Sequence, residues 1–187
     1  MVIPDFASDS APASGSPVSG PDPDPVLDSS LLDPPLLESA AVARGICRLF
    51  ARNDIWCLSE MPLRNGRRAD LMGIDPKGRV VIVEIKVSRA DLLGDGKWTD
   101  YLDHCDRFYW GLPPGLDRRP LEGADFLPDS CGVIVADAYD AEILRPAPSR
   151  ALAAARRKVE VERLARTALR RHLARLDPDC APRGQMP

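Results

Sequence analysis

Residues Ala69–Lys86 read ADLMGIDPKGRVVIVEIK, two strand-like runs on either side of a turn. Asp75-Pro76-Lys77-Gly78 places Asp first, Pro second and Gly fourth, the residue order of a type I turn closed by a glycine bulge. A three-residue hairpin loop of that kind pairs Asp75 with Arg79. Counting back sets Ile74 opposite Val80, Met72 opposite Ile82, Asp70 opposite Glu84 and Arg68 opposite Lys86. Side chains alternate across a strand, so this register stacks apolar on apolar beside the turn and polar on polar farther out. A slip of one residue would send Asp70 and Glu84 to opposite faces.

The second run continues as Val80–Ser88, VVIVEIKVS. Four β-branched residues lead in, and Ile85 and Val87 follow, which predicts a mostly buried strand. Glu84 and Lys86 are out of place there, because a buried charge is costly unless paired or bound to a metal. Carboxylates opposed on neighbouring strands have Cβ atoms about 4.5–5.5 Å apart and repel. An oxygen-preferring divalent cation, Mg²⁺ or Mn²⁺, removes that repulsion, with Lys86 as a second positive charge. A cluster of the two carboxylates with Lys86 and Arg68 at a strand end would answer the same electrostatic need.

Outward from this hairpin, the 187 residues are 44% hydrophobic and 28% charged, enough for one cored domain with extensions. A net charge of −3 gives no global signal for nucleic acid. The five cysteines, Cys47, Cys57, Cys105, Cys131 and Cys180, form no C-x-x-C pair and read as reduced thiols of a cytosolic protein. His104 and His172 are far apart, which argues against a histidine metal site. No apolar run approaches the ~20 residues of a membrane span, and the N-terminus has no leader pattern, so a cytoplasmic protein without membrane contact is expected.

Residues 1–32 are rich in Pro, Ser, Asp and Gly and are expected to be a flexible tail. Asp33-Pro34-Pro35 predicts a helix start, followed by a stripe of Leu37, Ala40, Ala41, Arg44, Ile46, Cys47 and Phe50. Strands are expected at IWCLSE (55–60), ADLMGI (69–74) and the run from Val80, then a helix over 96–108 carrying Trp98, Tyr101, Leu102 and Cys105 on one side. FYWGL, CGVIVAD and AEILR supply three more strands, and 149–176 a long helix before a flexible end, 177–187. The expected order is α-β-β-β-α-β-β-β-α, an α/β domain over 33–176 with a mixed central sheet flanked by helices.

An acid, a turn and then Glu-x-Lys on adjacent strands behind a helix resembles the PD-(D/E)XK nuclease superfamily, over about residues 36–112. Ala69 stands where a proline usually precedes the first acid. More specifically, GRRADLMGIDPKGRVVIVEIKVSRADLLGDGKWTDYLDHCDRFYWGLPP, CGVIVADAYDAEILRPAPSRALAAARRK and VERLARTALRRHL resemble the MmcB family of bacterial DNA repair proteins. That likeness spans about residues 38–174. It implies a restriction-endonuclease-like sheet, DNA as partner, a nucleoid-associated place in the cytoplasm and a repair-protein partner. It implies that Asp70, Glu84 and the Ile85 carbonyl hold Mg²⁺ or Mn²⁺, while Lys86 positions or helps deprotonate the attacking water. Relatives often add an acid from the first helix or strand. Glu38 falls about a turn early, and Glu60 is the preferred residue.

Lys97 and Tyr101, four apart, are similar to the Gln-x-x-x-Tyr pair of some superfamily exonucleases; they would contact phosphate, or be a surface lysine beside a packed tyrosine. Asp91 and Asp95 are expected to cap the adjoining helix rather than to tune a metal. GDGK is no phosphate loop, since Asp91 occupies the first glycine position and Trp98 follows the lysine. Between 150 and 175 there are nine basic residues against Glu160 and Glu162. On a helical wheel Val161, Leu164, Ala165, Ala168, Leu169, His172 and Leu173 share a face expected to dock on the sheet. Arg163, Arg166 and Arg170 fall opposite and are expected to track a phosphate backbone, or else to form a solvated basic face or meet an acidic protein. The expected function is metal-dependent hydrolysis of DNA in repair. A non-catalytic DNA-binding module and a protein-interaction adaptor on the same fold are the alternatives.

Overall fold

In a computed structural model, which describes residues 38–180, the elements run α1 (Ser39–Arg52), β1 (Trp56–Pro62), β2 (Arg68–Ile74), β3 (Val80–Ile85), α2 (Arg89–Gly94), a 3-10 helix (Trp98–His104), β4 (Arg107–Leu112), two short 3-10 turns (Arg119–Glu122 and Ala124–Phe126), β5 (Gly132–Ala136), β6 (Ala141–Arg145), α3 (Ala154–Leu176) and a last 3-10 turn, Pro178–Cys180. The six strands form one mixed sheet in chain order, β1-β2-β3-β4-β5-β6. β1, β2 and β3 are antiparallel neighbours, β4 runs parallel to both β3 and β5, and β6 closes the edge antiparallel to β5. Helices flank this sheet, so the α/β class and the mixed six-stranded central sheet match the expectation.

The hairpin forms in the register that its turn dictates. Ile74 pairs with Val80, Met72 with Ile82 and Leu71 with Val83. Asp75 Oδ1 accepts from the N–H groups of Lys77 and Arg79, and Oδ2 accepts from Arg79 Nε at 2.6 Å. Gly78 takes φ +71°, the left-handed conformation that glycine adopts without a Cβ penalty. All six residues of β3 are buried. Val81, Val83 and Ile85 pack under α1 with Val42, Ile46 and Phe50, while Val80 and Ile82 face the other way, toward Trp98, Tyr101, Phe108, Trp110 and Leu164. Gly45 lets α1 approach, since a Cβ there would overlap the carbonyl oxygens of Asp137 and Asp140.

Several boundaries differ from the expectation. Helix α1 begins at Ser39, with Glu38 as an extended N-cap residue whose side chain makes no cap bond. The expected start at Asp33-Pro34-Pro35, the tail over 1–32 and residues 181–187 lie outside the described residues. The helix expected over 96–108 is a 3-10 helix ending at His104, because Cys105 is already extended and Arg107 starts a strand. Helix α2, only six residues long, is an addition to the expected order. Helix α3 starts at Ala154 rather than Ser149, because residues before it are drawn onto the sheet by Asp106.

Asp106 is a fixing point that sequence patterning alone does not single out. It is 1% exposed, and its carboxylate accepts from Val80 N at 2.8 Å, Leu152 N at 2.8 Å, and Arg157 Nε and Nη2 at 3.1 and 2.5 Å. Its own backbone donates to Val80 O and accepts from Arg150 N. One residue thus ties the first rung of β3 to the segment entering α3. Burial alone would raise this carboxyl, but the Arg157 guanidinium and the two backbone donors outweigh it and hold it below the usual range. Asp106→Ala is expected to cost about 3 kcal/mol in urea unfolding, because buried donors lose their acceptor. The folded-state value being depressed, this contribution is present above the unfolded pKa of about 4 and disappears as pH falls further, so wild-type and variant stabilities should converge in acid.

Candidate active site

The β2–β3 ladder stops after Leu71 and Val83. Beyond it the Asp70 carboxylate, not a strand carbonyl, receives the Ile85 N–H, at 2.7 Å to Oδ2. Lys86 N turns to β4, donating to Gly111 O at 2.9 Å. The strands therefore part where the sequence changes from apolar to charged, and Arg68 does not pair with Lys86; Arg68 pairs instead with Pro62 on β1. Glu84 continues the row of Val80 and Ile82 on the face toward Tyr101 and α3, and lies beside Trp110 on β4.

Glu84 and Lys86 are each 6% exposed. Lys86 Nζ lies 2.9 Å from Asp95 Oδ2, 3.3 Å from Glu84 Oε1 and 3.7 Å from Asp91 Oδ1. Burial would lower the Lys86 pKa, but the bond to Asp95 and the charges of Glu84, Asp95 and Asp91 raise it, so the ammonium is secure. Asp70 is raised by burial, against the Ile85 N–H and Lys86. Glu84 is pushed up to about 7, by burial first and then by the Asp70 charge, with Lys86 opposing. Its Oε2 is buried and has no hydrogen-bond partner. Two desolvated, mutually repelling acids with an unsatisfied oxygen form a donor set suited to a hard cation.

The other expected residues are placed as follows. Glu60 has φ +51°, a strained backbone for a non-glycine residue, and the rung it would share with Asp70 is skipped between Ser59↔Leu71 and Met61↔Ala69. Its Oε2 is 2.5 Å from Arg68 Nε, and its side chain is half exposed. Among the described residues no three His, Cys, Asp or Glu side chains converge on a metal-sized site, so Glu60 lies near Asp70 without completing a cluster. Lys97 is exposed, at the start of the 3-10 helix rather than within an α-helical turn. Tyr101 is 4% exposed and its hydroxyl donates to Arg68 O at 3.2 Å, which is the packed-tyrosine alternative. Burial and the charges of Glu84, Asp95 and Asp70 drive its phenol pKa upward.

The 3-10 helix has no side-chain cap, which corrects the capping expectation: Asp95 Oδ1 accepts from Lys97 N at 3.4 Å just ahead of that helix, while Asp95 Oδ2 clamps Lys86. Asp91 also faces Lys86, and its N–H donates to Ser88 Oγ, the cap of α2. No sequence pattern marks the Asp95–Lys86 contact, because it depends on a six-residue helix that brings Asp95 back over the strand it follows.

Helix α3 docks differently from its helical wheel. Leu164 and Thr167 are buried with Glu160, while Leu169 and Leu173 of the expected docking face are 63% and 50% exposed and His172 is exposed. Polar anchors turn the helix: Glu160 Oε1 meets His104 Nδ1 at 2.9 Å and Arg163 Nη2 at 3.0 Å. Arg163 Nη1 also donates to Pro62 O, and Arg171 donates to Ser59 O and Glu60 O. Arg163 thus belongs to the docking surface, leaving Arg166 and Arg170 exposed.

A family model described as DNA repair protein MmcB-like matches residues 29–179. Among solved structures, a protein of unknown function from Silicibacter pomeroyi, SPO1766, is 40% identical with a TM-score of 0.68, over 80% of this chain and 99% of that one. A repair endonuclease from Pyrococcus abyssi is 22% identical over 42% of this chain and 41% of that chain, with a TM-score of 0.28. No curated protein matches the chain.

Replacing Lys86 with Met leaves Glu84 and Asp95 facing each other without a cation. Breaking a buried ion pair from one side is worth about 3 kcal/mol, to be read as a lower urea midpoint. Glu84→Gln with Asp95→Asn in the same chain should recover part of that loss. A midpoint unchanged by Lys86→Met would show that the ammonium does not hold this cluster.

Proposed function

The chain belongs to the MmcB-like DNA repair protein family, and from that premise we propose that it is a metal-dependent nuclease hydrolysing DNA phosphodiester bonds. The observation that carries the reading is the meeting of Asp70, Glu84 and Lys86 at the parting of β2 and β3, with one Glu84 oxygen buried and unpaired. Asp70, Glu84 and the Ile85 carbonyl would hold Mg²⁺ or Mn²⁺. Such an ion supplies a lowered pKa for water and neutralises phosphate charge. Lys86, fixed by Asp95, presents its ammonium where negative charge builds on the transferring phosphoryl oxygens. Asp70 holds the open strand end by its bond to Ile85 N, which fixes its own carboxylate before substrate arrives.

In this reading DNA would lie along the cationic surface of α3. Arg166 and Arg170 line a hollow of about 460 Å³ with Thr167, Leu169 and Leu173, and have no ion pair among the described residues. Lys97 is exposed next to the Tyr101 helix and would add a phosphate contact. A second reading, a DNA-binding repair module without catalysis, is favoured by one feature, the tight engagement of Lys86 with three acids and of Glu60 with Arg68.

The test is cleavage of single-stranded, nicked, flapped and duplex DNA with Mg²⁺ or Mn²⁺. Asp70→Asn and Lys86→Met should each reduce the rate about 100-fold or more. Binding without cutting any substrate would establish the module instead. Separately, Arg166→Ala with Arg170→Ala should weaken DNA binding and flatten the dependence of log K on log salt by about two phosphate contacts. An unchanged slope would take both arginines out of the footprint.

A further inference from the structure

We propose that Cys47 and Cys57 form a reversible thiol–disulfide site, oxidised by a peroxide. The two sulfurs belong to different elements, Cys47 to α1 and Cys57 to the edge strand β1, and lie 3.5 Å apart. A disulfide needs about 2.05 Å, so the two sulfurs have to approach by about 1.5 Å to bond. Both thiols are half-buried, unlike Cys105 and Cys131, which are fully buried. They open on a cavity of about 490 Å³ whose wall includes Arg44, Arg171, His172 and Arg175. Room for Cys57 comes from Gly73, its rung partner on β2, where a Cβ would collide with the cysteine.

The electronic state of the pair agrees with this geometry. A hydrogen bond from Cys57, opposed by burial, brings the Cys47 thiol down to about 7, while Cys57 is held up as the proton donor. Cys131 is pushed up to about 12 by burial, and Cys105 is raised further for the same reason. The Cys47 thiolate would attack one peroxide oxygen, breaking the O–O bond to give a sulfenic acid and hydroxide, which takes up a proton as water. Cys57 then attacks the Cys47 sulfur, the S–S bond forms, and the sulfenic oxygen leaves with the Cys57 proton as a second water. Two thiols lose two electrons in total, and one peroxide becomes two waters.

The experiment uses the full chain carrying Cys180→Ser, which removes the exposed thiol and leaves four of the five cysteines. After hydrogen peroxide and denaturation, titratable thiols should fall from four to two. Dithiothreitol should restore them, and digestion should yield one peptide pair joined through Cys47 and Cys57. Before oxidation, iodoacetamide at neutral pH should modify Cys47 at least about tenfold faster than Cys105 or Cys131. Four thiols persisting after peroxide, a crosslink through Cys105 or Cys131, or a bridge only between chains would each overturn the proposal. Cys57→Ser should abolish the dithiothreitol-reversible loss of two thiols; its survival in that variant would overturn the assignment as well.

Discussion

The Asp70 carboxylate accepting the Ile85 N–H is the bond on which the site depends. A regular ladder would give that donor a backbone carbonyl and keep β2 and β3 zipped together. By supplying the acceptor from a side chain, Asp70 ends the ladder without leaving a buried donor unsatisfied, and Lys86 N finds its own partner in Gly111 O on β4. The opening between the strands is thus a satisfied structure, not a frayed end. It is held from below by a strand buried along its whole length and from the side by the hairpin bonds of Asp75.

Around that opening the electrostatics are arranged so that a cation is fixed and an acid is frustrated. Lys86 gathers Glu84, Asp95 and Asp91, and burial strengthens those attractions as much as it penalises each charge. Glu84 receives only one of these benefits, on Oε1, while Oε2 and the neighbouring Asp70 charge work against ionisation. A fold selected only for stability would place an apolar residue at 84, since well-packed hydrophobic groups commonly match or exceed a buried ion pair. Glu60, in a left-handed conformation and held by Arg171 at its carbonyl, adds a second local cost at the same end of the sheet.

Most of this was legible where a local rule had one solution. The Asp75-Pro76-Lys77-Gly78 turn set the register, and the register put Asp70 and Glu84 at neighbouring strand positions on one face; the ladder confirms it as far as Leu71 and Val83. What escaped were the contacts that come from tertiary closure. The Asp95 bond to Lys86 depends on a helix of six residues, too short to show a periodic pattern. The Cys47–Cys57 contact spans ten residues across a helix–strand junction, where no spacing motif exists. Tyr101 and Lys97 were aligned on a 3.6-residue turn, and the tighter 3-10 winding removes that alignment.

Helix α3 shows why an arginine count is not a binding surface. Its wheel offered a broad apolar face, yet the helix turned to bury Glu160, because His104 and Arg163 satisfy that carboxylate and Leu164 fills the space beside it. Arg157 is committed to Asp106, Arg163 to Glu160 and Pro62, and Arg171 to Ser59 and Glu60. With Arg156 paired to Asp103 as well, the exposed guanidiniums of α3 left without a side-chain partner among the described residues are Arg166, Arg170 and Arg175. The same rotation exposes Leu169 and Leu173 beside them. The surface that the helix leaves to solvent therefore alternates guanidinium and aliphatic groups, with its hydrogen-bond donors concentrated on the arginines.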